Sequence, residues 1–258
     1  MRFSIIINTH NQIRFIKDCI NSCINQDFYD YEIIVTDTSD FKINKEILRS
    51  KKIKYFHIKQ KSNYPVMNQM HQVLFGFNKS KGKYICLLDG DDKFAPKKLK
   101  ELNEIVANKK IYINQDLPSF FSKDKILGQD KLKKYKNNEI FKNVFIEWPQ
   151  VTGTSAITVK REILKKFFTK NKPFNWKYLA IDVQLVLFCD HNFEINNELD
   201  KITLKRKHNK NLDDTFSNFF SKSFWKRRKM QHELNYFIRK KRKVNFDFLV
   251  TKFVNFFF

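Results

Sequence analysis

The sequence predicts an α/β fold: a mostly parallel central sheet flanked by helices, with a basic helical extension at its C-terminus. Three observations carry that expectation. Short apolar, β-branched runs alternate with segments whose apolar residues recur at helical spacing, the signature of consecutive βαβ units. Three of the runs lead into polar clusters, "NTHN", "TDTSD" and "DGDD". The C-terminal part interleaves aromatic and basic residues, as in "FFSKSFWKRRK".

"FSIII" (3–7) reads as the first strand, and "NTHN" follows it. Ile13, Ile16, Ile20 and Cys23 then mark one face of a helix. "YEIIVTDTSD" is a second buried strand, so the first two strands should be parallel. "KYFHI" (54–58) is the third. Met70, Val73, Leu74 and Phe77 stripe a helix that Gly82 would end. "YICLL" is the fourth strand, running into Asp89, Asp91 and Asp92. Pro96 stands where a further helix would begin, with Leu99, Leu102, Ile105 and Val106 as its apolar face. Beyond it, "IYIN" (111–114) and "TSAITV" (154–159) read as strands separated by a lysine-rich loop. "REILKKFF" and the segment around "YLAIDVQLVLF" read as helices. Neither a repeat nor a Gly/Pro linker divides the chain, which suggests one body with a C-terminal appendage. In an open α/β sheet, ligands bind beyond the carboxyl ends of the strands, where the three polar clusters fall.

An apolar fraction of 42% excludes a disordered chain of 258 residues. The formal charge of +23 implies an anionic partner: nucleic acid, anionic lipid or a phosphorylated substrate. About half of that excess falls between Lys201 and Phe258, with 16 Lys and Arg against 4 Asp and Glu. No apolar run reaches the roughly 18 residues of a membrane span, and "MRFSIIINTHN" reads as a strand rather than a signal peptide. Cys19, Cys23, Cys86 and Cys189 sit in apolar surroundings without the spacing of a zinc site. Reduced core cysteines indicate a cytoplasmic setting.

Crowded carboxylates at the end of a buried strand repel one another unless a cation joins them. Asp-x-Asp offers the hard oxygen ligands that Mg²⁺ or Mn²⁺ prefers, leaving positions open for phosphate oxygens. A solvated acidic turn is the plain alternative, and Asp92 could instead cap the helix after Pro96.

These segments together resemble a known family. "SIIINTHNQIRFIKDCINSCINQDFYDYEIIVTDTSD" followed by "SKGKYICLLDGDDKFAPKKL" is similar to the family 2 glycosyltransferases of the GT-A fold, inverting enzymes of bacterial surface-glycan synthesis. The match is clear over about residues 3–100 and looser through "TGTSAITVKREIL" and "AIDVQL" to about residue 212. The resemblance implies a Rossmann-like sheet, with 1–95 as the nucleotide-sugar-binding half, 96–215 as the acceptor-binding half and 216–258 as a basic aromatic extension. It implies that Asn8, Thr9 and His10 contact the nucleotide, His10 replacing a stacking Tyr. Asp37 matches the first acidic position of the second turn. Thr38 stands where a second Asp often reads uracil, so a UDP-sugar is only weakly favoured. Asp89 and Asp91 match the metal-binding pair, with Asp91 the more direct ligand of Mn²⁺ or Mg²⁺. Asp182 matches the catalytic base, and a carboxylate in apolar surroundings suits that role; a helix cap or core ion pair is the alternative. An Arg-Asn pair common in the family is replaced near Val73 and Leu74, and an Arg after the base by Phe188. Arg206 and His208 resemble the Arg-x-His segment that closes over the diphosphate.

The implied activity is metal-dependent, inverting transfer of a sugar from a nucleotide donor to a glycan hydroxyl. It would serve surface polysaccharide, lipooligosaccharide or glycoprotein glycan synthesis. The aromatic and basic segment from Phe216 onward suits an anionic membrane surface, which fits a lipid-linked acceptor on the inner face of the plasma membrane. Nucleic-acid binding or packing on the body would use the same residues. Two rival functions remain. A basic nucleic-acid-binding protein leaves "DGDD" unexplained, and a sugar-phosphate nucleotidyltransferase would need a Gly-rich loop where "NTHNQIR" has no glycine.

Overall fold

The computed structural model describes residues 1–123, 125–133, 146, 148–208, 216, 218–240 and 245–257. Its main sheet has seven strands: β1 (Phe3–Thr9), β2 (Tyr31–Asp37), β3 (Ile53–His57), β4 (Tyr84–Asp89), β6 (Ile113–Gln115), β9 (Ile157–Lys160) and β10 (Ile195–Asn196). They lie in the order β10-β6-β9-β4-β1-β2-β3, and only β9 runs against its neighbours. A smaller sheet, β5-β11-β7-β8, joins β5 (Lys93–Phe94), β7 (Leu117–Ser122), β8 (Lys125–Gln129) and β11 (Asp200–Arg206).

Alternation along β1 divides the core between the two faces of the sheet. Ile5 and Ile7 pack with α1 (Ile16–Ile24) and α3 (Lys98–Asn108); Ile6 packs with α2 (Pro65–Lys79), α4 (Arg161–Lys170) and α5 (Ile181–Asn192). All four cysteines are buried and unpaired. Ile13 does not share the α1 stripe: it precedes the helix and is exposed, and Cys19 completes the buried face. α2 stops at Lys79, before Gly82, and Arg161 caps it by donating to Ser80 Oγ (2.7 Å) and Gly82 O (2.6 Å). Gly82 is needed for a different reason, since a Cβ there would overlap the Ser4 backbone.

The lysine-rich stretch expected as loop begins as β7 and β8; residues 134–145 lie outside the described part. The C-terminal segment forms α6 (Lys222–Arg239) and α7 (Phe246–Phe257). α6 is no loose appendage. α5 is buried along Ile181–Cys189, so it needs cover on the side away from the sheet. Leu234, Met230 and Ile238 of α6 supply it, over Leu179, Val183 and Leu187.

Lys98 ties these layers together. Fully buried, its Nζ donates to Asp116 Oδ1 (3.0 Å), Ser155 O (3.2 Å) and Thr203 Oγ1 (2.5 Å), and lies 4.1 Å from the Phe94 ring centroid. Burial still holds the Asp116 carboxyl above its usual range despite the ammonium beside it. Lys98→Ala should therefore cost about 3–5 kcal/mol in denaturant melts, because it strands a buried carboxylate. The pair Lys98→Met with Asp116→Leu should recover much of that loss; if the single and double variants melt alike, the ion pair is not the joint.

Candidate active site

A cavity of about 220 Å³ opens at the carboxyl ends of β1 and β4. Parallel pairing sets Asn8 opposite Asp89 and Thr9 opposite Asp37, so the polar ends of β1, β2 and β4 share one edge. Asn8, Thr9, His10, Asp89, Asp91 and Asp182 all line the cavity.

The acidic turn is held from several sides. Asp89 Oδ1 accepts from Asn8 Nδ2 and Gln69 Nε2, each at 2.7 Å, and its backbone N–H donates to Ser155 Oγ at 3.0 Å. Asp92 Oδ2 accepts from Ser155 Oγ (2.6 Å), and its Oδ1 from Arg206 N (2.7 Å). Asp92 thus anchors the turn to β11 rather than capping the next helix, whose N-cap is Lys97. Asp91 Oδ2 meets His208 Nε2 at 2.8 Å, and the His208 ring stacks on Phe15 with centroids 5.0 Å apart. Gly90 lets the turn close on β1: a Cβ there would stand 2.6 Å from Thr9 Oγ1 and Gln12 Oε1.

Burial, and then the Asp91 charge, pushes the Asp89 carboxyl up to about 7. The same causes, with Asp89 added, hold Asp92 well above the carboxylate range. A divalent cation relieves such opposed ionisation. Asp89 Oδ2 and Asp91 Oδ1 accept no hydrogen bond among the described residues. Asn8 Oδ1 and Gln69 Oε1 are buried acceptors without a partner beside them. Among the described residues no three His, Cys, Asp or Glu converge as a full ligand shell. Two carboxylates with open positions still fit Mg²⁺ or Mn²⁺ shared with a diphosphate.

Asp182 lies in the first turn of α5, buried, with Oδ1 accepting from Val183 N at 2.7 Å. Its charge adds to the pressure on Asp89, so the two carboxylates feel one another across the cavity. Other expected contacts fall elsewhere. Asp37 is fully buried behind the cavity, accepting from Ser39 N (2.8 Å) and Tyr55 OH (2.7 Å), and burial raises the Tyr55 phenol to about 12. Thr38 is held by Asn68 Nδ2 (2.8 Å), and its carbonyl meets His10 Nδ1 (2.9 Å). Arg206 turns away from the cavity, bonding Asp91 O (2.8 Å) and Asp18 Oδ2 (3.1 Å) between the Phe15 and Phe121 rings. Lys205, its neighbour on the strand and so on the opposite side, lines the cavity instead.

Sequence reasoning missed Lys205, Gln69, Asn68 and Ser155. The signal for the first was available in the two-residue period of β11. Asn68 and Gln69 lie a turn into a helix whose apolar stripe draws attention away from its polar edge, and nothing local marks Ser155.

Residues 4–168 match the family described as "Glycosyl transferase family 2". An uncharacterized glycosyltransferase of Methanocaldococcus jannaschii is 30% identical over 204 residues, covering 74% of this chain and 63% of that protein. The GalNAc(5)-diNAcBac-PP-undecaprenol beta-1,3-glucosyltransferase of Campylobacter jejuni is 25% identical over 196 residues, covering 71% and 58%. The chain spans less than two thirds of the length of these curated relatives. S. aureus TarS 1–349, solved with UDP and with UDP-GlcNAc, superposes with TM-scores of 0.61 and 0.62 at 14% identity, covering 100% and 98% of this chain and 72% and 73% of that one. The expected GT-A architecture is therefore the one observed. With the family match covering most of the chain, the chain belongs to glycosyl transferase family 2.

Proposed function

We propose that the chain transfers a sugar from a nucleoside diphosphate donor to a hydroxyl of a glycan acceptor, with inversion at the anomeric carbon. The observation that carries this reading is that one cavity is lined by the Asp89–Asp91 pair and by the separate carboxylate Asp182. Asp182 would take the proton from the acceptor hydroxyl as its oxygen attacks the anomeric carbon. The bond to the diphosphate breaks on the opposite face, which inverts the centre. Asp89 and Asp91 would hold Mn²⁺ or Mg²⁺, which when bound neutralises charge on the departing diphosphate. Lys205 adds a positive charge at the same wall, while Arg206 and His208 hold the acidic turn in place. Asn8, Thr9 and His10 would face the nucleotide, with Asp37 holding the neighbouring turn after β2 through Ser39 N.

A UDP-sugar is the proposed donor, supported by the UDP and UDP-GlcNAc held in TarS. A lipid-linked glycan is the proposed acceptor, supported by the undecaprenol-linked acceptor in the Campylobacter relative's name. Buried free cysteines agree with work on the cytoplasmic side.

Thermal unfolding with a panel of nucleotide-sugars, with and without Mn²⁺, tests the reading. One nucleotide-sugar should stabilise the protein only with metal, by about 2.7 kcal/mol at a hundred times its Kd. Stabilisation by a single-stranded oligonucleotide alone, with no nucleotide-sugar effective, would overturn it in favour of a nucleic-acid-binding protein.

A further inference from the structure

α7 is an inside-out helix. Asp247, Thr251 and Asn255, four residues apart, face the rest of the protein, whereas Phe246, Leu249, Phe253, Phe256 and Phe257 face solvent. The polar row is tied down. Asp247 Oδ1 accepts from Arg228 Nη2 (2.5 Å) and Nε (3.1 Å), and His232 Nε2 lies 3.6 Å from Asp247 Oδ2. Asn255 Nδ2 donates to Trp225 O at 2.9 Å. A helix on a water-facing surface buries its apolar residues; this one buries only Phe248 among its described phenylalanines, beside the polar row, and leaves Phe246, Leu249, Phe253, Phe256 and Phe257 exposed. Trp225 Nε1 donates to Phe219 O, which brings the exposed Phe219 and Phe220 to the same end of the hairpin as Phe256 and Phe257.

We propose that this face docks on a lipid bilayer rich in anionic headgroups, the α7 rings entering the interface while neighbouring lysines meet the phosphates. Charge chooses the occupant. From Phe216 to Phe258 there are eleven Lys and Arg against Glu233 and Asp247. Lys229, Lys240 and Lys252 line a shallow groove between α6 and α7 with Tyr236, Phe237, Phe248 and one carboxylate, Glu233, which lies 3.9 Å from Lys229 Nζ. A second copy would bring like charge against like charge. Nucleic acid needs separate ring platforms for successive bases, whereas Phe257 clusters edge-to-face with Phe253 and Phe256, centroids 4.9 and 5.5 Å away, as one contiguous apolar patch. Anionic lipid satisfies both the rings and the cations. No helix among the described residues is long and apolar enough to span the membrane, so the contact is peripheral. α7 packs on α6 and α6 on α5, whose first turn carries Asp182, so one helix stands between α7 and the helix that carries Asp182.

The proposal deepens the lipid-linked acceptor reading but is tested without donor or acceptor. The chain is floated with vesicles of phosphatidylcholine, with and without phosphatidylglycerol. Wild type should float with the anionic vesicles only. Phe253→Ser with Phe256→Ser and Phe257→Ser should lower partitioning at least about tenfold. Lys229→Gln with Lys240→Gln and Lys252→Gln should weaken it and flatten its salt dependence. Both triple variants should keep the wild-type melting temperature and metal-dependent donor binding, which separates failure here from failure of the transferase reading. Equal flotation of the Phe variant, no flotation of wild type, or a vesicle-free dimer that the Phe substitutions abolish would each overturn the proposal.

Discussion

Asp91→Asn is expected to abolish metal-dependent turnover of the nucleotide-sugar, by about a thousandfold or more, while leaving the fold intact. The magnitude follows from the several kcal/mol that neutralising a leaving diphosphate is worth. The direction of the stability effect is the sharper part. Asp91 raises both Asp89 and Asp92 through like-charge repulsion, second only to burial. Removing one charge from that turn relieves its neighbours, so the metal-free variant should melt no lower than wild type. Asn also keeps an oxygen for His208 Nε2. Initial rates across a Mn²⁺ titration, with melting curves without metal, check both halves. Near-normal turnover would show that no ion is held there. A large drop in melting temperature would show that Asp91 serves the scaffold.

The edge proposed to carry this chemistry was legible because it follows from a local rule. "FSIII", "YEIIVTD" and "YICLLD" are buried parallel strands, and parallel strands deliver their terminal residues to one side. That alone brings Asn8, Asp37 and Asp89 together. What lay beyond the sequence were contacts between distant residues. Ser155 meets Asp89 and Asp92 only because β9 inserts beside β4, and Lys98 finds Asp116 and Thr203 only once the second sheet has formed. Arg206 was expected over the diphosphate by resemblance; the pleat puts Lys205 on the cavity wall and leaves Arg206 bonded to Asp91 O and Asp18 Oδ2. The C-terminal extension was expected to be helical, but its faces were not legible. The aromatic and basic mixture gives no clean period, and only the structure separates the exposed rings of α7 from Phe248 and the polar row that it buries.

Asp182→Asn should leave donor binding with metal unchanged and reduce transfer to the acceptor by about a hundredfold to ten-thousandfold, the range for loss of a general base. Asn can still accept from Val183 N, so the first turn of α5 keeps its anchor, and the nonpolar packing behind it is untouched. Binding and transfer separate this residue from Asp91. The Asp91 variant should lose metal-assisted donor affinity and turnover together; the Asp182 variant should lose turnover alone. Parallel thermal-shift titrations and single-turnover transfer assays read the two quantities independently. If the Asp182 variant lost donor affinity as well, Asp182 would belong to the nucleotide side of the cavity. If transfer stayed within a few fold of wild type, the proton would leave by another route. The electrostatics already link the two positions, because Asp182 contributes to the upward push on Asp89. Neutralising it should therefore lower the Asp89 carboxyl toward its ordinary range, which offsets the loss of one negative charge near a cation and leaves donor binding with metal unchanged.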